Sequence, residues 1–249
     1  MIALVRAELL KIRTTRSWWA YLIVIVLLAG IGTAGTIGSS GDSDRGTVDF
    51  QLDVVDTIGV AVLLAIILGI TIITAEFRHG TVTPTFLAAP HREQVIGAKT
   101  IAAVVVAIGF ALLALVVVLA VALIWFAIIG VDPQFTDGEI VTRAVQQGLA
   151  AVLWALIGVA IGTMVQSQVA ALVGTLVWIF VVENLLVGLL GLLDGDGVTA
   201  YLPFRALDAA DGTGGDNLIS YWPGVAVSLG WIALIGAAGV VRTLRRDIT

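Results

Sequence analysis

The sequence predicts an all-α integral membrane protein with six transmembrane helices, an N-terminal amphipathic helix at the membrane interface, and a short cytoplasmic helix between spans two and three. Hydrophobic residues make up 59% of the 249-residue chain, charged residues only 12%, and the mean hydropathy is +1.07. Several apolar runs reach the ~20 residues that cross a bilayer as a helix. The runs are continuously apolar, whereas the strands of a membrane barrel alternate between apolar and polar residues. Backbone groups exposed to lipid must therefore be hydrogen-bonded within helices. We therefore predict one membrane domain, residues 1–249, with spans at about 18–38, 54–75, 101–129, 144–165, 169–193 and 223–241.

Positive charge sets the predicted orientation. If both termini lie in the cytoplasm, all but three of the 13 Lys and Arg residues fall on the cytoplasmic side. Cytoplasmic segments of membrane proteins carry such an excess. The Arg-rich, Lys-poor composition, with abundant Ala, Val and Gly, suggests a bacterium. We therefore expect a multi-pass protein of the bacterial cytoplasmic (inner) membrane, with cytoplasmic N- and C-termini.

Residues 1–16 are predicted to form the interfacial helix. Apolar side chains recur at helical spacing, and basic side chains lie among the others: apolar Ile2, Val5, Leu9 and Ile12; basic Arg6, Lys11, Arg13 and Arg16. Basic residues on such a helix reach anionic headgroups. The helix is therefore either a simple basic anchor or a docking surface for a partner, and the two roles are compatible.

Small residues predict close packing between spans. Gly158 and Gly162 form a GxxxG pattern in span four, and Gly30, Ala34 and Gly38 form a similar ridge in span one. Such residues let helix backbones approach closely. The sequence leaves open whether these contacts lie within one chain or between two copies.

The longest predicted outer loop comprises residues 194–222, between spans five and six. It contains one stretch that suits a short helix, around Tyr201–Ala210. The conformation of the rest of this loop is left open.

Glu183 is predicted well inside span five, next to Asn184. An ionised carboxylate at such depth costs about 2.5–3.5 kcal/mol on insertion scales, so it should be protonated, partnered or in contact with water. Two roles are weighed equally. Glu183 either lines a translocation path or makes a structural hydrogen bond to span four, for which Arg143, Gln146 and Gln147 are the candidate partners.

Trp154, Trp178 and Trp231 are predicted near the middle of the membrane, away from the interfacial level that Trp favours. Three deep indoles either line a cavity for an apolar or aromatic substrate, or fill space with each N–H bonded to a carbonyl. Packing is favoured. The three residues are nevertheless kept, with Glu183 and Asn184, as a candidate translocation path.

Catalytic chemistry is not expected. The chain has no cysteine, and its two histidines, His79 and His91, lie in the cytoplasmic loop without metalloprotease spacing. A lone intramembrane carboxylate assembles neither a metal site nor an acid/base pair. Gly30–Gly35 matches a dinucleotide fingerprint but lies in an apolar span, and no phosphate-binding loop is found. We therefore predict a protein with no catalytic, metal or cofactor-binding residues, and with no nucleic-acid partner.

The polar segment Glu76–Lys99 stands out on the predicted cytoplasmic side. Gly80 suits the end of a helix, and Thr81 suits the cap of a new short one. Phe86 and Leu87 give that helix a small apolar face. The segment should therefore form a rigid projection that joins spans two and three and transmits motion.

A motif follows span two: Glu76, then Gly80-Thr81, then Leu87 and Pro90, then Arg92 and Lys99. In this order it resembles the permease subunits of ATP-binding-cassette (ABC) export systems of the second type. The likeness extends to the layout, with a basic N-terminal helix, six spans, both ends inside, and an outer Leu202-Pro203 after span five.

The resemblance implies that residues 81–88 form a coupling helix that docks on a separate ATPase, with the helix 1–16 beside it. The docking and coupling residues would be Glu76, Gly80, Thr81, Phe86, Leu87, Pro90, Arg92 and Lys99. Two permease copies, identical or different, would assemble with two ATPases in the bilayer, and ATP and Mg would bind only on the ATPases. The substrate would be a hydrophobic or amphipathic drug, peptide or lipid-like molecule moved outward, which suggests multidrug or antimicrobial resistance.

Two alternatives remain at this stage. The first is a proton- or ion-coupled secondary transporter that uses Glu183 as its carrier. The absence of repeat halves and of further intramembrane charges argues against it. The second is a membrane scaffold or immunity protein that keeps the fold without transport.

Overall fold

The computed structural model describes residues 1–41, 45–78, 80, 92–192, 196–215 and 218–245, and every regular element in them is helical. The predicted all-α fold class is confirmed. Six helical stretches within these residues are long and apolar enough to cross a membrane: Arg16–Ser39, Val48–Arg78, Glu93–Ile129, Gly138–Val165, Gln168–Gly191 and Tyr221–Thr243, here spans one to six. Three shorter helices accompany them within the described residues: Ile2–Thr14, Asp196–Thr199 and Pro203–Ala209. We call Pro203–Ala209 the outer helix. The predicted helix at 81–88 lies outside the described residues.

Span two begins earlier than its apolar run and is not a single α-helix. It consists of Val48–Asp56, one 3₁₀ turn at Thr57–Gly59, and Val60–Arg78. At the break, the Thr57 hydroxyl lies 2.7 Å from the Val54 carbonyl oxygen and 2.9 Å from the Thr33 hydroxyl of span one. Hydropathy misses the first segment because acidic residues interrupt it.

Spans two and four form the centre of the bundle. In each, 61% of the most apolar stretch is buried, against 17% in spans five and six. Their backbones touch through glycine: a Cβ added at Gly158 would lie 2.5 Å from the Ile66 carbonyl oxygen, and one at Gly69 would lie 2.2 Å from that of Ala155. Real Cβ atoms do not approach so closely. The GxxxG pattern of span four therefore serves a contact within the chain.

The glycine ridge of span one makes looser contacts. A Cβ at Gly30 would lie 3.9 Å from Val117, and one at Gly38 would lie 3.8 Å from Trp125, both in span three. These are ordinary van der Waals distances. The ridge packs on span three without the close backbone approach seen between spans two and four.

A turn of two residues, Gln166 and Ser167, joins spans four and five. Gln166 adopts a positive φ of 60°, and its side-chain amide donates to the Thr243 hydroxyl of span six at 3.1 Å. Arg242 donates to the Met164 carbonyl at 2.7 Å. Because this connection is so short, spans four and five are antiparallel neighbours, and span six is fastened to the same turn.

Span five contains a π-helical turn, Trp178–Val182, between Gln168–Val177 and Glu183–Gly191. The Asn184 side-chain amide donates to the carbonyls of Ile179 and Phe180, at 2.9 and 3.3 Å. A side chain that enters the backbone ladder in this way distorts a helix. Such single π turns often mark functional positions.

The outer helix, Pro203–Ala209, confirms the short helix predicted around Tyr201–Ala210. It packs against spans four and six. Proline suits its first position because that N–H has no partner within the helix. A Cβ at Gly224 of span six would lie 2.8 Å from the Ala209 side chain, so a glycine is needed for this contact.

Candidate functional site

The N-terminal helix presents an acid to the bundle. Its most buried residue is Glu8, which is 5% exposed, whereas Ile2 at the start of its apolar series is 73% exposed. Arg6, Arg13 and Arg16 point outward, where the predicted contact with lipid headgroups stays open to them. The helix is therefore held by a buried carboxylate as well as by apolar packing.

Glu8 belongs to a network of four charged groups on the predicted cytoplasmic side, which we call the ion network: Glu8, Lys11, Glu76 and Lys99. Lys99 Nζ lies 2.8 Å from Glu8 Oε2 and 2.8 Å from Glu76 Oε1. Lys11 Nζ lies 2.7 Å from Glu8 Oε1 and 2.9 Å from Glu76 Oε1. Positive and negative groups alternate around the network, so every close pair is attractive and the four formal charges cancel.

Lys99 is the most deeply buried member of the ion network, at 4% exposed. Its ammonium also donates to the Ile72 carbonyl at 3.3 Å, so all three N–H donors are used. Buried charges are tolerated only when they are paired and fully hydrogen-bonded. Lys99 meets this condition, and the network ties the N-terminal helix to the end of span two and the beginning of span three.

Lys11 is the exposed member, with half of its side chain accessible. Partial burial alone would lower the pKa of its ammonium group. The hydrogen bonds to Glu8 and Glu76, together with their negative charges, outweigh that effect and raise the pKa above its usual 10.5. Lys11 therefore stays protonated in the network. The prediction that its side chain extends to lipid headgroups is wrong.

The predicted docking residues fall into three groups. Glu76 and Lys99 are buried and face each other. Gly80 is exposed and has a positive φ of 66°, as expected where a helix ends. The others lie wholly or by their side chains outside the described residues: Thr81, Phe86, Leu87, Pro90 and Arg92. The ion network thus lies at the base of the loop that holds the remaining docking residues.

Glu8 is not among the residues predicted from the sequence to form the site. It is the only acid in the N-terminal helix, and it lies three residues after Val5 and four before Ile12, on the apolar face. An acid in that position has to be partnered. This signal would have identified Glu8 as a buried residue, although not its partners.

Glu183 forms a second site, and its predicted partners are wrong. Its Oε1 accepts from the backbone N–H groups of Phe204 and Arg205, at 3.1 and 2.8 Å, and the residue is 3% exposed. Both N–H groups belong to the first turn of the outer helix, where the backbone supplies no partner within the helix and negative charge is favoured. Glu183 therefore caps a helix that follows it by some twenty residues.

The residues proposed as partners of Glu183 are used elsewhere. Arg143 Nη1 lies 2.8 Å from Asp56 Oδ2, and Gln147 donates to Asp56 Oδ1 at 3.4 Å. Gln146 lies against Gly212, whose φ is +82°. Span four therefore stabilises the 3₁₀ break of span two, a contact that was not predicted from the sequence.

The three tryptophans have different surroundings. Trp178 and Trp231 line a cavity of about 320 Å³ between spans four, five and six and the outer helix. Trp231 also donates its N–H to the Tyr201 carbonyl at 2.9 Å. Trp154 is buried behind the cavity, with its ring 5.4 Å from that of Phe204. Trp154 therefore fills space, although its N–H has no partner among the described residues, whereas Trp178 and Trp231 line a cavity.

Among the described residues, no three His, Asp or Glu side chains are grouped so as to hold a metal ion. The ion network contains two carboxylates, but two ammonium groups already occupy them.

Comparison with known proteins identifies the family of the chain. No curated protein matches the chain. The family model described as ABC-2 family transporter protein matches residues 4–182, well over half of the chain. The match includes most of the N-terminal helix, the ion network, spans one to four, and span five as far as the end of its π turn. The chain therefore belongs to the ABC-2 transporter family, whose members are membrane-spanning permease subunits of ABC transporters.

Proposed function

We propose that this protein is the non-catalytic permease of an ATP-driven exporter, powered by a separate ATPase that docks on residues 81–88 and the N-terminal helix. The observation that carries the proposal is the ion network. It joins the N-terminal helix to the two helices from which the 79–91 segment emerges. The N-terminal helix and the two helix ends on either side of the 79–91 segment are thereby joined at one buried point.

Such an arrangement suits the transmission of force. Buried, hydrogen-bonded charges resist separation, because an unpaired buried charge costs several kcal/mol. A push on the loop or on the N-terminal helix would therefore move spans two and three together. Since span two packs closely on span four, the motion would reach the centre of the bundle.

The family and the composition support the remaining features of the proposed transporter. Two copies of the permease, or one copy and a related chain, would assemble with two ATPases that hold ATP and Mg. The complex would lie in the bacterial inner membrane with cytoplasmic termini. It would move a hydrophobic or amphipathic drug, peptide or lipid-like molecule outward.

The surroundings of Glu183 remove the main reason for a proton- or ion-coupled transporter. The cap that its Oε1 makes to two backbone N–H groups explains a buried carboxyl group without a role as a proton or ion carrier. A membrane scaffold would keep the same fold but would not need a coupled loop.

Co-purification from the native membrane tests the proposal. The wild-type protein should recover an ATPase with a phosphate-binding loop, and the double variant Phe86→Glu/Leu87→Glu should lose both the ATPase and export. The matched control is Leu192→Glu/Val198→Glu, which changes two exposed apolar residues at the opposite end of the bundle. Full transport by the purified chain without any ATPase would refute the proposal.

A further inference from the structure

The cavity beside Trp178 and Trp231 has the size and lining of a ligand site. Its volume is about 320 Å³, and its walls include the rings of Trp178, Phe204 and Trp231 with the aliphatic side chains of Ile157 and Ile235. Apolar cavities of about 150 Å³ already hold benzene, and small-molecule sites begin at about 300 Å³. We call it the aromatic cavity.

The aromatic cavity opens at the lateral surface of the bundle. Trp178 is 39% exposed, and Met164, which also lines the cavity, is exposed as well. Both lie on membrane-spanning helices, so the opening faces the region that lipid occupies. A ligand dissolved in the bilayer would therefore reach the cavity sideways.

A buried carboxyl group, that of Glu183, lies behind the cavity wall and does not itself line the cavity. Phe204, which lines the cavity, donates its backbone N–H to Glu183 Oε1, and the indole of Trp178 also lies beside the carboxyl group. Among the described residues, Glu183 Oε2 has no hydrogen-bond partner. A buried acceptor without a partner is unfavourable by about 1–3 kcal/mol, more when it is charged. A ligand that supplies a donor would remove this cost.

We propose that the aromatic cavity binds a cationic amphiphile, whose hydrocarbon body packs against the aromatic rings and whose protonated amine reaches Glu183 Oε2 past the ring of Trp178, which is 39% exposed. The carboxyl group supplies a charge-assisted hydrogen bond, and the Trp faces add cation–π attraction. The positive charge of Arg205 also acts on this carboxyl group, but Glu183 Oε2 accepts no hydrogen bond among the described residues. This inference rests on the proposed function, whose substrate class it specifies.

Direct binding to the purified permease in nanodiscs tests the site. The probes are radiolabelled dodecylamine and uncharged dodecanol, with empty nanodiscs to subtract partition into lipid. Wild type should bind dodecylamine saturably. Glu183→Gln keeps an oxygen to cap the outer helix but replaces the free oxygen with a donor, so it should weaken dodecylamine binding about tenfold or more and change dodecanol binding little.

A pair of tryptophan substitutions checks the location. Ile235→Trp fills the cavity and should abolish binding of both probes. Leu234→Trp adds the same ring to the neighbouring residue, which is 61% exposed, and should leave binding unchanged. Equal effects of the two substitutions, equal dodecylamine affinity in wild type and Glu183→Gln, or no saturable binding to wild type would each overturn the inference.

The ATPase is absent from this assay, so the two proposals fail separately. Loss of amine binding with intact ATPase co-purification would reject the site and keep the permease. Amine binding without any ATPase partner would keep the site and reject the proposed ATP-driven permease.

Discussion

Removal of Lys99 tests the ion network most directly. Lys99→Met keeps much of the aliphatic length but removes an ammonium that is 4% exposed and that binds Glu8, Glu76 and the Ile72 carbonyl. Two buried carboxylates would then share only Lys11, whose side chain is half exposed. Breaking a buried ion pair by removing one partner costs about 3–5 kcal/mol. We expect Lys99→Met to lower the free energy of unfolding by that amount.

Unfolding in mixed micelles, with the mole fraction of denaturing detergent raised stepwise and tryptophan fluorescence recorded, measures this free energy. The matched control is Glu93→Gln, an exposed residue of the same helix, which should change it by less than about 0.5 kcal/mol. The control separates loss of the network from a general effect of removing charge near the interface.

A double-mutant cycle then isolates the pair. Glu8→Gln and Lys99→Met remove opposite charges that lie 2.8 Å apart, so the double variant should cost about 1–3 kcal/mol less than the two single effects added together. Strict additivity, or a Lys99→Met variant as stable as the control, would refute the argument that the network holds the N-terminal helix.

The remaining predictions concern the bundle centre and the outer helix. Gly158→Ala places a Cβ 2.5 Å from the Ile66 carbonyl oxygen and should lower unfolding free energy by about 1–3 kcal/mol or more in the same assay. Gly148→Ala, in open space on the same span, should not, and equal effects would contradict the contact. Although part of its side chain is exposed, removal from water raises the pKa of Asp208 to about 7, and Asp211 and Glu183 add to the shift. The folded state therefore holds that proton more tightly than the unfolded state, so stability should fall as pH rises from about 4 to about 7. Asp208→Asn should make the unfolding midpoint less dependent on pH over this range. An unchanged dependence on pH would contradict the assignment to Asp208.

The fold class was predictable because lipid imposes a simple rule on sequence. A helix that crosses a bilayer must be apolar over about twenty residues, and every backbone group must be bonded within it. Hydropathy located all six spans on this basis. It misplaced the start of span two, because Val48–Asp56 carries acids whose surroundings appear only in the tertiary structure.

The candidate site was predictable only in part. The motif located Glu76 and Lys99 as coupling residues, but it did not indicate that they bind each other and Glu8 inside the protein. The docking function of the loop stays a prediction. For Glu183, the cost of a buried charge correctly required a partner, but the chosen span was wrong because backbone N–H groups leave no signal in sequence.

By itself, then, the sequence determined the number of membrane helices, the helical class and the presence of buried charges that need partners, because these depend on composition and local periodicity. The tertiary structure alone decided the partners. Glu8 and Lys99 are 91 residues apart in the chain, and the glycines of spans two and four meet across the bundle. Such pairings depend on how helices are arranged in three dimensions, which a local pattern does not encode.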